Sequence, residues 1–439
     1  MKTLKRTLAV LLALVLVSGS FVCFAETNEK QYHNYEKVLL LGDSEASGFT
    51  DYGDEFSEFN RVDDSYAAYI ADFFGAEFYP MACPGFRTIE LRTLLDDNYI
   101  VDDPYLFTQV PRTPEAELRA KAPAVRQAIA DTDMIIIGIG GNDWGAYLGW
   151  TLADVELENQ LPEEFKTQLR EYLKTASFED DIIGEIVALA DYLNAVDDIA
   201  AVLPEAATYA FSTLHENWKW LVEYFYENNP DVTVVAIGMF PTYYQTEEGA
   251  PDVVAEPDAV TAAVTDAIIS YGNKHMIDNQ EKYGYVYVDT AGTVVEISHP
   301  TVAGHRFIAD RILEELPDAR FDLTDVTLKN SEYKAVEYMY VNGLMNGTAD
   351  KTFNGNSAMT KADFSALMSN MGKTYIPSDS SKAVTLMEVK LAAFVTAEEK
   401  TINDVFNLLS YFAQIFFTND AFAPATRTQV ATEFYSYVK

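Results

Sequence analysis

Val38-Leu39-Leu40-Leu41 runs without a polar break into Gly42-Asp43-Ser44-Glu45-Ala46-Ser47-Gly48. An uninterrupted apolar run halted by glycine reads as a strand covered on both faces, because a strand with one wet face would alternate. Comparable runs recur at Ala76–Ala82, Met134–Ile139, Val232–Ile237 and Tyr285–Val288, each separated from the next by helix-like sequence. Strands alternating with helices predict a parallel sheet. The expected architecture is therefore a three-layer α/β/α sandwich around a five-stranded parallel sheet, spanning residues 36–317. Open α/β sheets bind ligands beyond the carboxyl ends of their strands, so Ser44 and the residues that follow the other strands become the candidate site.

Four segments occupy such positions. The first ends in Gly42-Asp43-Ser44, the second in Pro84-Gly85-Phe86-Arg87-Thr88, the third in Gly140-Gly141-Asn142-Asp143, and Glu296-Ile297-Ser298-His299-Pro300 lies beyond the fifth strand. The Gly-x-Ser-x-Gly elbow of α/β-hydrolases is not present, since position 46 is Ala. Nucleophilic cleavage of an ester needs a nucleophile, a base, a group that orients the base, and donors for the oxyanion. The four segments offer one of each.

These blocks, in this order, resemble the SGNH, or GDSL, hydrolase family, and the resemblance covers residues 36–317. It implies a flavodoxin-like fold and a serine esterase or lipase. It further implies that Ser44 is the nucleophile and His299 the general base. The Ser44 and Gly85 backbone N–H groups and the Asn142 side-chain amide would form the oxyanion hole. The family usually places Asp three residues before the histidine, whereas this chain has Glu296. Glu296 is the expected third member; Asp289, at the end of the fifth strand, or a backbone carbonyl are the alternatives. The substrate class stays open between O-acyl groups of carbohydrates or cell-wall polymers and lipids. A second reading, a non-catalytic surface binding or adhesion protein on the same fold, draws its one support from Glu296.

The connection from residue 146 to residue 230 is too long for a simple crossover and reads as a helical insert, with helical periodicity at Pro162–Ala176, Asp181–Val202 and Pro204–Asn228 and breaker-like prolines between. Trp218, Trp220, Tyr224 and Phe225 are expected to pack onto the sheet. Of the remaining histidines, His305 is expected to be structural, and no His-Glu-x-x-His or Cys-x-x-Cys spacing calls for a metal. Neither a metal nor a cofactor is expected. The pairs Asp63-Asp64, Asp96-Asp97 and Asp102-Asp103 lack calcium-loop spacing and read as solvated loops.

The amino terminus has Lys2, Lys5 and Arg6, an apolar stretch from Leu8 to Val17, and small residues up to Ala25, the pattern of a signal peptide over residues 1–25. The stretch is shorter than the roughly 20 residues a spanning helix needs, so no membrane span is expected in the mature chain. Cleavage would remove Cys23 and leave Cys83, which excludes an internal disulfide and suits secretion by a Gram-positive-type bacterium. The 439 residues carry a net charge of −37. Such a surface repels phosphate backbones, which argues against nucleic acid as a partner.

After Pro317 strand-like runs give way to short helices. Tyr333–Tyr340, Asn342–Thr348 and Met359–Phe364 resemble an S-layer homology repeat, here residues 320–372, and residues 383–439 resemble a degenerate second copy. The basic position of the Thr-Arg motif reads Lys361, Leu386 and Arg427. That resemblance implies attachment to a secondary cell-wall polymer or peptidoglycan at the cell surface.

Overall fold

The computed structural model describes residues 30–49, 58–103, 106–107, 113–144, 197–240, 259–295, 299–373, 375–377, 379–396 and 423–438. The chain divides into two compact units, Asn34–Leu316 and Pro317–Lys439, the latter together with the stretch ending at His33.

In the first unit the elements run β1 (Lys37–Gly42), α1 (Ser44–Ser47), α2 (Tyr66–Phe74), β2 (Glu77–Pro80), α3 (Thr88–Leu95), α4 (Glu115–Asp131), β3 (Met134–Gly138), α5 (Asp197–Asn228), β4 (Thr233–Ile237), α6 (Ala259–Tyr283), β5 (Val286–Val288) and α7 (Val302–Glu315). The sheet has five strands in the order β2-β1-β3-β4-β5, all parallel. Leu39, Leu41, Ile135, Ile137, Val234 and Ala236 share one core with Leu118 of α4 and Trp218, Leu221 and Phe225 of α5. Their alternating neighbours Val38, Leu40, Met134, Ile136, Val235 and Ile237 are buried as well, on the side where α2 and α7 pack together and against β1 and β5. Each interior strand is thus sealed on both faces, which is why its sequence is apolar without alternation. Pro80 ends β2 at the sheet edge, where its missing N–H costs no ladder bond.

The structure differs from the sequence expectation at two places here. The α5 backbone continues from Asp197 through Pro204 to Asn228. A proline inside a helix costs about 3 kcal/mol, but the later turns bury Phe211, Leu214, Trp218, Leu221, Val222 and Phe225. Each contributes on the order of 2 kcal/mol, which outweighs the break. Trp218 and Phe225 are core residues and Trp220 and Tyr224 pack at its margin. The expected helix at 162–176, and residues 181–196 of the one expected at 181–202, lie outside the described residues. Asp103, expected in a solvated loop, is buried: Arg87 Nη1 donates to it at 3.1 Å and the Tyr209 hydroxyl at 2.9 Å. Arg87 also binds Glu90, so the buried cation is matched by two carboxylates, which is what permits its burial.

The second unit contains α8 (Tyr333–Val341), α9 (Lys361–Asn370), α10 (Leu386–Thr396) and α11 (Arg427–Val438). The segments before α9, α10 and α11 close into a ring. Val384 N–H donates to Met359 O at 2.9 Å, Ala425 N–H to Val384 O at 2.8 Å, and Met359 N–H to Ala425 O at 2.9 Å. Each helix is then capped by a threonine hydroxyl, from Thr360, Thr385 and Thr426. The pattern is a pseudo-threefold arrangement of three equivalent helix starts around a core of Phe353, Phe364, Val389 and Phe434. The residues opening those helices are Lys361, Leu386 and Arg427. Lys361 Nζ binds Glu388, Leu386 packs at the core margin, and Arg427 Nε donates to Phe353 O at 2.8 Å.

Candidate active site

Gly42 makes the turn out of β1. Its φ is +142°, and a β-carbon there would stand 2.0 Å from Gly138 O. Only glycine lets the ends of β1 and β3 approach this closely, and Asp43 N–H donates to that same carbonyl at 3.1 Å. Asp43 then caps α1, its buried carboxylate accepting from Glu45 N–H at 3.0 Å. Ser44 therefore stands at the first position of a helix, with its hydroxyl at the end of the central part of the sheet.

His299 arrives from the far end of the chain sequence and meets this serine. The His299 Nε2 to Ser44 Oγ distance is 2.8 Å across 255 residues of separation. Phe49 lies edge-on to the imidazole with centroids 4.7 Å apart, which fixes the ring's plane.

The other expected residues converge on the same place. Gly85 adopts a left-handed φ of +80°, directing the chain past the cleft after Cys83 N–H has paired with Gly42 O at 2.9 Å. Among the described residues neither the Ser44 nor the Gly85 backbone N–H donates to a protein acceptor. Asn142 Nδ2 donates to Phe86 O at 3.1 Å, so one amide hydrogen holds the side chain in place while a second remains for a ligand. Asp43, Ser44, Glu45, Gly85, Asn142 and His299 all line one cleft of about 300 Å³, together with Phe49, Pro84, Trp144, Met239, Phe240 and Ile269.

Glu296 lies outside the described residues. Asp289 is exposed, and its carboxylate accepts from Ala291 N–H at 3.0 Å. Two residues the motifs did not single out shape the site. Asp143 is buried and accepts from Thr88 N–H at 2.9 Å, tying the strand end that carries Asn142 to the start of α3, which follows Gly85. Glu45 stands on the cleft wall, its carboxyl pushed well above the usual carboxylate range by burial and by the neighbouring Asp43. Asp143 was legible only as the residue after Asn142; Glu45 carried no signal beyond following the serine.

Burial also raises Asp43, against the pull of His299 and the backbone N–H groups it accepts from. His305, six residues after His299, is sealed in the core with neither ring nitrogen hydrogen-bonded, and burial pushes it down to about 3. Its ring lies beside Tyr66, tilted by 40° with centroids 5.7 Å apart. Among the described residues no cluster of His, Cys, Asp and Glu is arranged to hold a metal.

The sequence resembles proteins of known type in two regions. A search of curated proteins found no match. Among solved structures, the extracellular lipase of Streptomyces rimosus is similar at 18% identity and a TM-score of 0.38, covering 64% of this chain and 99% of that one. The phospholipase A1 of Streptomyces albidoflavus gives 18% identity and 0.36, covering 64% and 99%. The aryl esterase of M. smegmatis gives 14% identity and 0.32, covering 64% and 100%. A family model for the S-layer homology domain matches residues 323–365, and one for GDSL-like lipase/acylhydrolase matches residues 38–312. The second match takes in β1 through most of α7, more than half of the chain, so the chain belongs to the GDSL-like lipase/acylhydrolase family of serine ester hydrolases, here joined to a surface-associating S-layer homology module.

Proposed function

We propose that the protein is an exported, wall-attached esterase in which Ser44 and His299 carry out acyl transfer to water. The Ser44 hydroxyl attacks the ester carbonyl while His299 Nε2 takes its proton. The carbonyl oxygen becomes an oxyanion that accepts from Ser44 N–H, Gly85 N–H and the free Asn142 amide hydrogen. Collapse of the tetrahedral intermediate breaks the ester bond, and His299 returns its proton to the leaving alcohol. Water then attacks the acyl-serine by the same route and releases the acid. Glu296 holds the imidazole in the tautomer that accepts at Nε2, as the third member does in other triads.

The observation that carries this reading is the 2.8 Å contact between Ser44 Oγ and His299 Nε2 in a cleft also lined by Gly85 and Asn142. Residues 1–25 act as the export signal and residues 36–317 as the hydrolase, with a helical insert at 146–230. Repeats at 320–372 and 383–439 attach the enzyme to an anionic secondary cell-wall polymer or to peptidoglycan of a Gram-positive-type cell. The ester is an acylated carbohydrate or a lipid. Labelling with a fluorophosphonate tests the chemistry: the wild type should be modified at Ser44 and Ser44→Ala should not. An unlabelled wild type would instead support a non-catalytic binding protein. Pull-down by purified cell walls tests the attachment, and retention in the supernatant would remove it.

A further inference from the structure

Apart from the oxyanion donors, the polar side chains of the cleft are largely committed or enclosed. Asp43 caps α1, Asn142 is held by Phe86 O, and His299 faces Ser44. Phe49, Pro84, Met239, Phe240 and Ile269 make the rest of the wall apolar, and the Trp144 indole nitrogen, though unpartnered, is sealed away from solvent and so out of a ligand's reach. Glu45 is the exception. It is half-buried, its Oε1 lies over Gly141, 3.5 Å from where a β-carbon of that residue would stand, and among the described residues its carboxyl has no hydrogen-bond or ion-pair partner. Its oxygens are not among the enclosed unpartnered atoms, so they open to the cleft.

Position decides what such a group can touch. Glu45 follows the nucleophile directly and borders Gly141, the neighbour of Asn142, so it lines the same cleft as the reacting serine and the oxyanion donors. The apolar wall suits an acyl group, which leaves the alcohol portion for Glu45. Burial and Asp43 push the carboxyl well above the ordinary carboxylate range, which favours the neutral form, and a neutral carboxyl both donates and accepts. A hydroxyl has the same pair of capacities. A neutral group also spares the oxyanion a repulsive neighbour.

We propose, building on the esterase reading above, that the Glu45 carboxyl is a specificity determinant that hydrogen-bonds a free hydroxyl on the alcohol portion of the ester. It thereby selects partly acylated polyols, sugar or glycerol esters, over fully substituted or plain alkyl esters.

A matched substrate pair tests this: methyl 2-O-acetyl-xyloside, with free hydroxyls beside the ester, and its 3,4-di-O-methyl ether. One hydrogen bond lost predicts a wild-type preference of about tenfold in kcat/KM for the hydroxyl-bearing ester. Glu45→Leu should bring the ratio close to one, and Glu45→Gln, which still donates and accepts, should keep most of it. Monoacetylglycerol against its dimethyl ether then separates a glycerol from a sugar alcohol. Should Glu45→Leu not fold, Glu45→Ala reads the same ratio. A wild type without preference, or a preference that survives both apolar variants, overturns the assignment. Fluorophosphonate labelling of Ser44 is read in the same samples, so a failure of the esterase reading is told apart from a failure of this one.

Discussion

Asn142→Ala removes two things at once, and the structure separates them. One amide hydrogen is bound to Phe86 O at 3.1 Å; its loss is an ordinary hydrogen bond of about 1 kcal/mol, worth roughly 2–4 °C of melting temperature in a domain this large. The other faces the cleft and, in our account, meets the oxygen only once it carries charge. Loss of one oxyanion donor costs about a hundredfold or more in kcat, close to 3 kcal/mol. Because the ground-state carbonyl gains little from that donor, KM should hardly move. The assay is steady-state turnover of p-nitrophenyl butyrate by wild type and Asn142→Ala, with melting curves alongside. Asn142→Asp, isosteric but placing an acceptor where a donor stood, should be at least as slow. A kcat within about fivefold of wild type in a folded Asn142→Ala protein would refute the reasoning and remove Asn142 from the oxyanion hole.

Three further outcomes follow from particular residues. Glu296→Gln should lower kcat far more than Asp289→Asn, whose carboxylate is exposed and engaged with Ala291 N–H; the reverse ranking in the same ester assay would reassign the role. His305 is held neutral down to about 3 by burial and by His299, against an unfolded value near 6.5. Its folded value is depressed, so the unfolded chain binds the extra proton as pH falls below 6.5, and by pH 5 about 2 kcal/mol of stability is lost. His305→Phe, which also deletes two unpaired buried nitrogens, should flatten that acid slope in denaturant melts; an unchanged slope would clear His305 of the effect. Cys83 is buried and its thiol is pushed up by that burial, so iodoacetamide should leave Cys83 unmodified in the native protein and label it in denaturant. Rapid labelling of the native form would contradict its placement.

The sheet was readable because its strands are buried on both faces. Continuous apolar runs placed β3 and β4 within one residue of their observed ends, and β1 to one residue short at each end. The edge strand β2 was drawn too long, since Ala76–Ala82 is apolar beyond the four residues that pair with β1. That Ser44, Gly85, Asn142 and His299 would meet in one cleft was legible because topology brings every strand's carboxyl end to one edge, whatever their separation in sequence; their roles rest on the family resemblance. Asp103 and Asp143 were not, because each is defined by a partner distant in sequence, Arg87 and Thr88. Glu45 escaped for a different reason: what marks it is the absence of a partner among the described residues, which only the packed cleft reveals. The ring of Met359, Val384 and Ala425 was hidden by divergence, as the three helix starts agree in their capping threonines but not in the basic residue that follows.

The most direct measurement is turnover of p-nitrophenyl acetate, butyrate and octanoate by mature wild type and Ser44→Ala in parallel. The account predicts hydrolysis by the wild type that disappears with the Ser44 hydroxyl, and the chain-length ranking then reports how much acyl group the cleft accepts. Equal rates in both proteins, or none in either, would contradict the assignment of Ser44 as the nucleophile.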